Sequence, residues 1–267
     1  MPRIIDCHCH IYPDAIAERA VAGTSGFYGL PSVYNGKTSQ LYQLGEELGI
    51  DHYLVFSVAT TPHQTRSINE FIAHEVAQSR GRMTGLGTVH PDSLELEADI
   101  DHLKELGLKG VKLHADIQHI AADDPRCMKI YEICQDKGLP MLLHTGDHRF
   151  NFSNPARIAH VLEAFPRLTV VGAHMGGWSV WEEAESRLPR FPNFYVDCSS
   201  TMYALSAEKT CEIIHAYGAD RVLYGTDFPM WPMGKELERF YALDLTQQER
   251  ELILHENAER LFGIPKK

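Results

Sequence analysis

Two histidines separated by a single residue, His8 and His10, lie near the start of a chain of 267 residues that contains 15 histidines. The surrounding residues predict a β-strand, in which alternate side chains point to the same face. His8 and His10 would then present two imidazoles to one ion, whereas Cys7 and Cys9 would point to the opposite face. Neutral imidazole is a ligand for Zn²⁺ and similar transition metals. The pattern predicts half of a metal site and places the two cysteines outside it.

Polar residues also end several later predicted strands. They are Lys112, His114, His144, His174 and Asp227. His144 and Asp227 can complete the site that the two N-terminal histidines begin, because three imidazoles and one carboxylate suit a catalytic metal with a position left for water. A lone histidine at a strand end is usually a structural, hydrogen-bonded residue. Several at corresponding positions indicate an active site.

The elements that must position these residues alternate along the chain. Eight segments predict strands, at residues 3–10, 53–59, 83–90, 110–115, 140–145, 168–174, 194–199 and 221–227. Eight amphipathic segments predict helices, at residues 39–48, 67–80, 94–106, 126–137, 155–165, 179–188, 207–217 and 246–262. Alternating units imply a parallel sheet, and no glycine-rich dinucleotide motif follows the first strand. The prediction is an α/β chain folded as one (β/α)₈ TIM-barrel domain over residues 1–267.

Two connections are longer than a barrel needs. Residues 12–38 follow the first strand and contain four glycines, and residues 228–245 follow the eighth strand. Both leave the carboxyl ends of strands, where barrel enzymes build their sites. The first predicts a mobile, glycine-rich lid over the site, with a surface loop of no function as the alternative.

Composition excludes several classes of protein. The formal net charge is −11 and no Lys/Arg-rich run occurs, which argues against nucleic-acid binding. The apolar runs are too short to span a membrane, and the chain begins without a signal-type segment. Six cysteines without a CxxC pair favour reduced thiols in the cytoplasm. We expect a small-molecule substrate, and a homo-oligomer is compatible with the sequence.

The ordered motifs resemble those of a known family. They are Asp-Cys-His-Cys-His-Ile-Tyr-Pro at 6–13, Gly-Val-Lys-Leu-His at 110–114, Leu-Leu-His-Thr-Gly at 142–146, Ala-His-Met-Gly-Gly at 173–177 and Leu-Tyr-Gly-Thr-Asp-Phe-Pro at 223–229. Together they resemble the amidohydrolase superfamily, in its branch that includes aminocarboxymuconate-semialdehyde decarboxylase. The resemblance implies that His8, His10, His144 and Asp227 bind one metal. It also implies that His174 acts beside the metal without binding it, while Asp227 accepts and donates the proton.

Lys112 leaves the number of metals open. Binuclear members of the superfamily bridge two metals through a carboxylated lysine on the fourth strand, and Lys112 occupies that strand. The Lys-x-His spacing, with His114 following, is more similar to the mononuclear branch, in which this strand contacts substrate. We therefore expect one divalent transition metal, Zn²⁺ in the first place and Mn²⁺ in the second. In the one-metal case Lys112 can simply extend its ammonium to the barrel mouth.

Four residues are candidates for contact with substrate: Lys112, His114, Arg149 and Trp178. Arg149 follows the fifth strand closely and could form a paired hydrogen bond with a substrate carboxylate. A solvated loop arginine is the alternative for Arg149, and a packing role is the alternative for Trp178.

The sequence favours a hydrolase that acts on an ester, lactone or amide-type bond of a small carboxylate-bearing molecule through metal-activated water. The alternative is a metal-dependent decarboxylase of an aromatic or unsaturated acid. Fold cannot separate the two reactions, because the chemistry resides in the loops. A non-catalytic binding protein is a third hypothesis. It is disfavoured because a structural zinc site would not need the additional His174.

Overall fold

The computed structural model describes residues 3–266, so residues 1–2 and 267 of the predicted domain lie outside the described part. The strands are β1 (Ile5–His10), β2 (His52–Phe56), β3 (Met83–Gly85), β4 (Gly87–Thr88), β5 (Val111–Leu113), β6 (Met141–Leu143), β7 (Val170–Gly172), β8 (Phe194–Asp197) and β9 (Val222–Leu223). Only Leu86 separates β3 from β4, and its N–H still donates to the carbonyl of Val55 at 2.9 Å. The two pieces act as one strand, so each of the eight predicted strands is present.

The strands are paired in chain order, and each pair is parallel. The last strand closes on the first. Cys7 N–H donates to Tyr224 O at 2.8 Å, and His10 N–H donates to Phe228 O at 2.8 Å. The Asp6 carboxylate adds to this seam by accepting from Thr226 N at 3.0 Å and Thr226 Oγ1 at 2.6 Å. The predicted closed barrel is confirmed.

The helices surround this barrel. They are α1 (Ala17–Tyr28), α2 (Thr38–Leu48), α3 (Thr65–Gln78), α4 (Leu96–Glu105), α5 (Ala115–Gln118), α6 (Pro125–Asp136), α7 (Pro155–Ala164), α8 (Trp181–Arg187), α9 (Ala207–Tyr217), α10 (Met233–Tyr241), α11 (Gln247–Glu251) and α12 (Asn257–Phe262). A π-helical segment, Leu252–Glu256, joins α11 to α12, so the last predicted helix is continuous in path but not in geometry.

Both long connections contain a helix that the sequence analysis did not predict, α1 in the first and α10 in the second. The expectation of a glycine-rich loop at residues 12–38 was therefore wrong for its central part. Gly23 and Gly26 lie inside α1, whereas Gly29, which ends it, and Gly36, which lies beyond it, have left-handed φ values of 66° and 74°. Glycine lowers helix propensity by about 1 kcal/mol but does not forbid a helix.

The strict alternation predicted for β1 was also wrong at one residue. Cys9 packs in the outer cluster between strands and helices, as expected. Cys7 instead packs with the interior set that includes Ile5, Leu54 and Leu142. The pairing of β1 with β2 shifts between Asp6 and Cys9, and such a bulge lets two successive side chains share a face. Cys7 thus lies deeper in the barrel than His8.

The apolar core has two parts. Side chains from the outer strand faces and the helices form the larger cluster, and inward-facing strand residues together with Ala258, Phe262 and Ile264 form the smaller one. This arrangement leaves the carboxyl end of the barrel to polar residues. Within residues 3–266, no helix has the length and apolar character needed to cross a membrane.

Candidate active site

The structure brings most of the predicted site residues to one cavity of about 540 Å³ at the carboxyl ends of the strands. Seven of them line it: His8, His10, Lys112, His114, His144, His174 and Asp227. Another part of the wall is largely apolar and comes from α1, through Val21, Phe27 and Tyr28, although Arg19 and Thr24 of the same helix also line the cavity. The cavity therefore has a polar floor, made by the barrel, and a cover made by the helix that the sequence did not reveal.

His8 is held in one tautomer by a carboxylate beneath it. Its Nδ1 lies 2.9 Å from Asp197 Oδ2, so Nδ1 carries the proton and donates it to that oxygen. The unprotonated Nε2 is directed towards Asp227 Oδ1 at 3.4 Å, and His10 Nε2 lies 3.8 Å from the same oxygen. A carboxylate behind a histidine is a common support for metal ligands. His8, His10 and Asp227 thus offer three ligand atoms that all lie within 4.8 Å of one another.

His144 and His174 face each other through nitrogens that both lack a proton. His174 Nδ1 lies 3.1 Å from Ser199 O, and His144 Nε2 lies 3.1 Å from Gly146 O. A carbonyl oxygen can only accept, so both of those nitrogens carry the hydrogen. The remaining nitrogens, His174 Nε2 and His144 Nδ1, are 3.1 Å apart. Two unprotonated nitrogens at this distance repel each other unless a cation or a hydrogen-bond donor lies beside them.

These observations fit a bound divalent metal. Burial lowers the pKa of His8, His10 and His144 well below the usual value, so the imidazoles are neutral, as ligation requires. In the described part of the chain, His8 Nε2 is buried without a hydrogen-bond partner. His144 does not join the group formed by His8, His10 and Asp227; it lies beside His174 and in a second group with His114 and Asp116. Three of the four predicted ligands therefore converge directly.

Asp227 is held by residues that the sequence analysis missed. Ser200 Oγ donates to Asp227 Oδ2, and Trp231 Nε1 in turn donates to Ser200 Oγ at 2.6 Å. Asp227 has a φ of 59° and His174 a φ of 60°, left-handed values that cost energy for residues other than glycine. Such strain is concentrated at functional sites. Burial raises the pKa of Asp227 to about 7.

Lys112 is fully buried, and its ammonium faces the cavity floor, not solvent at the barrel mouth. Nζ lies 5.1 Å from the centre of the Phe56 ring. Across residues 3–266 it has no hydrogen-bond partner. Burial lowers the pKa of Lys112 to about 8, although the charges of Asp197 and Asp227 act in the opposite direction. A buried cation without a partner is costly unless a ligand supplies one.

Of the other residues that were predicted to contact substrate, Arg149 and Trp178 do not line the main cavity, whereas His114 does. Arg149 forms a paired ion bridge with Asp147, at 2.7 Å and 2.9 Å, and is not among the residues that line the cavity. Trp178 borders a smaller recess beside His144 and His174. Its Nε1 donates to Tyr203 Oη at 3.2 Å. His114 lines the main cavity, with its ring stacked 3.9 Å from that of His144.

Asp197 is the most informative residue that the sequence analysis overlooked. It ends β8 on the inward face and accepts from His8 Nδ1, from His174 N at 3.2 Å and from Ser199 N at 3.1 Å. The same strand-end rule that selected Asp227 could have selected Asp197. Tyr28 could not have been found in this way, because it belongs to α1.

A family model described as amidohydrolase matches residues 5–264, which is nearly the whole chain. This chain belongs to the amidohydrolase family. A curated relative, the gamma-resorcylate decarboxylase of Polaromonas sp. strain JS666, is 23% identical over 253 residues, which cover 74% of this amidohydrolase and 76% of the relative.

Solved structures are similar over the whole chain. An uncharacterised TIM-barrel protein from Bordetella bronchiseptica has a TM-score of 0.82 and 23% identity, with 98% of each chain covered. The dihydroxybenzoic acid decarboxylase of Polaromonas sp. JS666, solved with manganese and the inhibitor 2-nitroresorcinol, has a TM-score of 0.75 and 18% identity. That comparison covers 100% of this amidohydrolase and 98% of the other chain. At these identities the structures support the barrel fold.

Proposed function

We propose that this amidohydrolase is a metal-dependent decarboxylase of a small aromatic carboxylic acid. The observation that carries the proposal is Lys112, a fully buried ammonium at the floor of a cavity whose cover is apolar. A carboxylate can pair with this cation while the ring of an aromatic acid packs against Phe27 and Tyr28. The named relatives act on acids of this kind, since one is a gamma-resorcylate decarboxylase and another a dihydroxybenzoic acid decarboxylase.

His8, His10, His144 and Asp227 are the residues that would hold the metal, with one ion per chain. When bound, such an ion supplies a Lewis acid that stabilises negative charge on substrate oxygens. Zn²⁺ suits the imidazole-rich set, and the manganese bound by the dihydroxybenzoic acid decarboxylase makes Mn²⁺ an equal candidate.

Asp227, His174 and α1 have separate roles in the proposed decarboxylation. The bond between the ring carbon and the carboxyl carbon breaks, CO₂ leaves, and the electron pair stays on the ring carbon. That carbon then takes a proton, which we assign to Asp227 because its carboxyl group lies in the cavity floor, next to His8 and His10. His174, fixed by Ser199, would accept a hydrogen bond from a substrate hydroxyl through its unprotonated Nε2. The largely apolar wall that α1 contributes limits the access of competing water to the carbanion.

The test is to supply the Mn²⁺- and Zn²⁺-loaded enzyme with hydroxybenzoates and with lactones, and to measure released CO₂ and ring-opened acid separately. We expect CO₂ and the decarboxylated phenol in equal amounts. The Lys112→Met variant, which keeps the length of the side chain, should raise KM for the acid by about tenfold or more, because one charge-assisted pair is lost. Turnover of a lactone without CO₂ from any acid would establish the hydrolase instead.

A further inference from the structure

Tyr28 is the only phenol of α1 in the cavity wall within residues 3–266, and it contacts a residue of the barrel floor. Its Oη lies 2.7 Å from His114 Nε2. Either atom of such a pair can in principle be the donor, because both phenol and imidazole exist with a hydrogen on the atom concerned. The direction of this hydrogen bond decides whether Tyr28 can donate its hydroxyl hydrogen to a substrate.

The other ring nitrogen of His114 settles the direction. Ile117 N–H donates to His114 Nδ1 at 3.3 Å, so Nδ1 is the unprotonated nitrogen. A backbone amide cannot accept, and a neutral imidazole carries one hydrogen. His114 Nε2 therefore carries it and donates to Tyr28 Oη. The ring is further fixed by its stacking on His144, at 3.9 Å and an interplanar angle of 6°.

The hydroxyl hydrogen of Tyr28 is consequently available. In the chain from residue 3 to 266 it has no protein acceptor, because its one hydrogen-bond contact is the bond that it receives from His114. Burial also raises the pKa of Tyr28 well above its usual value, so the hydroxyl keeps its hydrogen at any working pH. Because its oxygen already accepts a hydrogen bond from His114, the Tyr28 hydroxyl can donate its own hydrogen to a ligand in the cavity.

The position of Tyr28 is well defined by its neighbours. Arg149, already paired with Asp147, donates through Nη1 to Phe27 O at 2.7 Å and so holds the last turn of α1. Its guanidinium lies 5.1 Å from the centre of the Tyr28 ring, and the Trp178 ring contacts the Tyr28 ring edge-on at 5.1 Å. Arg149 therefore acts on the site through α1.

We propose that Tyr28 donates a hydrogen bond to a second oxygen of the substrate, a ring hydroxyl or its anion, while Lys112 pairs with the carboxylate. His114 is the positioning residue that turns the Tyr28 hydroxyl towards the cavity. The inference rests on the proposed function, since it specifies the aromatic acid as a hydroxy-substituted one. It follows from the placement of the two donors, with Lys112 in the barrel floor and Tyr28 in the covering helix.

The experiment measures dissociation constants by calorimetry for benzoate and for 2-, 3- and 4-hydroxybenzoate with the Mn²⁺-loaded protein. Wild type should bind at least one hydroxybenzoate about tenfold more tightly than benzoate, the gain from one hydrogen bond to a polar or charged acceptor. The Tyr28→Phe variant should remove that difference and leave benzoate binding nearly unchanged. The Phe27→Leu variant alters the same apolar wall without touching a donor, so it should change all four constants alike.

Two substitutions of His114 test the positioning role through the same ratio. His114→Gln keeps an N–H near Tyr28 Oη and should retain the preference for the hydroxybenzoate, whereas His114→Leu should lose it. If Tyr28→Phe leaves the preference intact, or wild type shows none, the inference fails while decarboxylation can still be observed as CO₂. If none of the four acids binds the metal-loaded protein, the aromatic-acid proposal fails and this inference with it.

Discussion

Tautomers determine which nitrogen of each site histidine can act. His8 and His174 each donate one ring hydrogen to a fixed acceptor, Asp197 Oδ2 and Ser199 O respectively, and each turns an unprotonated nitrogen to the cavity. The residue types at the strand ends could be predicted from the sequence, because side chains there must face one another. This strand-end rule could also have selected Asp197, but the hydrogen bonds by which Asp197 and Ser199 fix these tautomers are visible only in the structure.

His174 should be separable from the metal ligands by substitution. The His174→Ala variant should keep a metal content near that of the native protein, because His8, His10, His144 and Asp227 still supply four ligands. Turnover should fall by about 10²- to 10⁴-fold, the contribution of a positioned acid–base group. His144→Ala is the matched variant, and it should lose metal and turnover together. Metal content by elemental analysis and rate on the substrate that the screen identifies provide the comparison.

A His174→Ala protein that is as empty of metal as His144→Ala would make His174 a ligand. This outcome has a structural basis, since the facing nitrogens of the two rings are only 3.1 Å apart. A variant with native metal content and native rate would instead reduce His174 to a structural residue.

At the scale of elements, regular strands and helices were predictable and the two long connections were not. The amphipathic pattern of α1 is weak because its inward face meets a cavity instead of a packed core, and glycines at 23 and 26 obscured it further. The bulge in β1 was hidden for a related reason. Its effect is a change in pairing with β2, which depends on the closed barrel and leaves no mark in the sequence pattern of β1.

Two glycines of the first long connection test its helical structure. Gly26 lies within α1, and a Cβ added there would meet nothing within 4 Å. Gly26→Ala should therefore stabilise the protein by up to about 1 kcal/mol, the difference in helix propensity. Gly29 ends the helix with a φ of 66°. Gly29→Ala should destabilise the protein by about 1 kcal/mol or more because of this left-handed backbone, although a Cβ there would also meet nothing within 4 Å. Urea unfolding measures both; equal effects of the two substitutions would contradict the helix.

At the scale of the molecule, alternation of strand and helix was sufficient to predict a closed barrel, because eight parallel strands with crossover helices have few other solutions. The reaction was less predictable. Hydrolysis was the first expectation, and the relatives favour the alternative, decarboxylation, since the curated relative and the manganese-containing structure are both decarboxylases. The strand-end motifs serve either reaction. The groups that we propose to select the substrate, the buried Lys112 and the Tyr28 donor, are defined by burial and by a helix that the motifs do not include.

The metal content of the whole molecule tests the one-metal assignment. Elemental analysis should give about one transition metal per chain, because the predicted ligands line one cavity and the neighbouring Lys112 is an ammonium over the Phe56 ring. Removal of the metal by a chelator should abolish turnover and leave the far-ultraviolet circular dichroism unchanged. We expect the barrel to keep its fold without the ion, because the inward and outward faces of its strands are packed in apolar clusters. The melting temperature should fall when the metal is removed and rise when it is added back, because a ligand that binds only the folded state stabilises that state.

Two metals per chain, with a mass increase on Lys112 equal to one CO₂, would overturn the single-metal site and place His174 among the ligands.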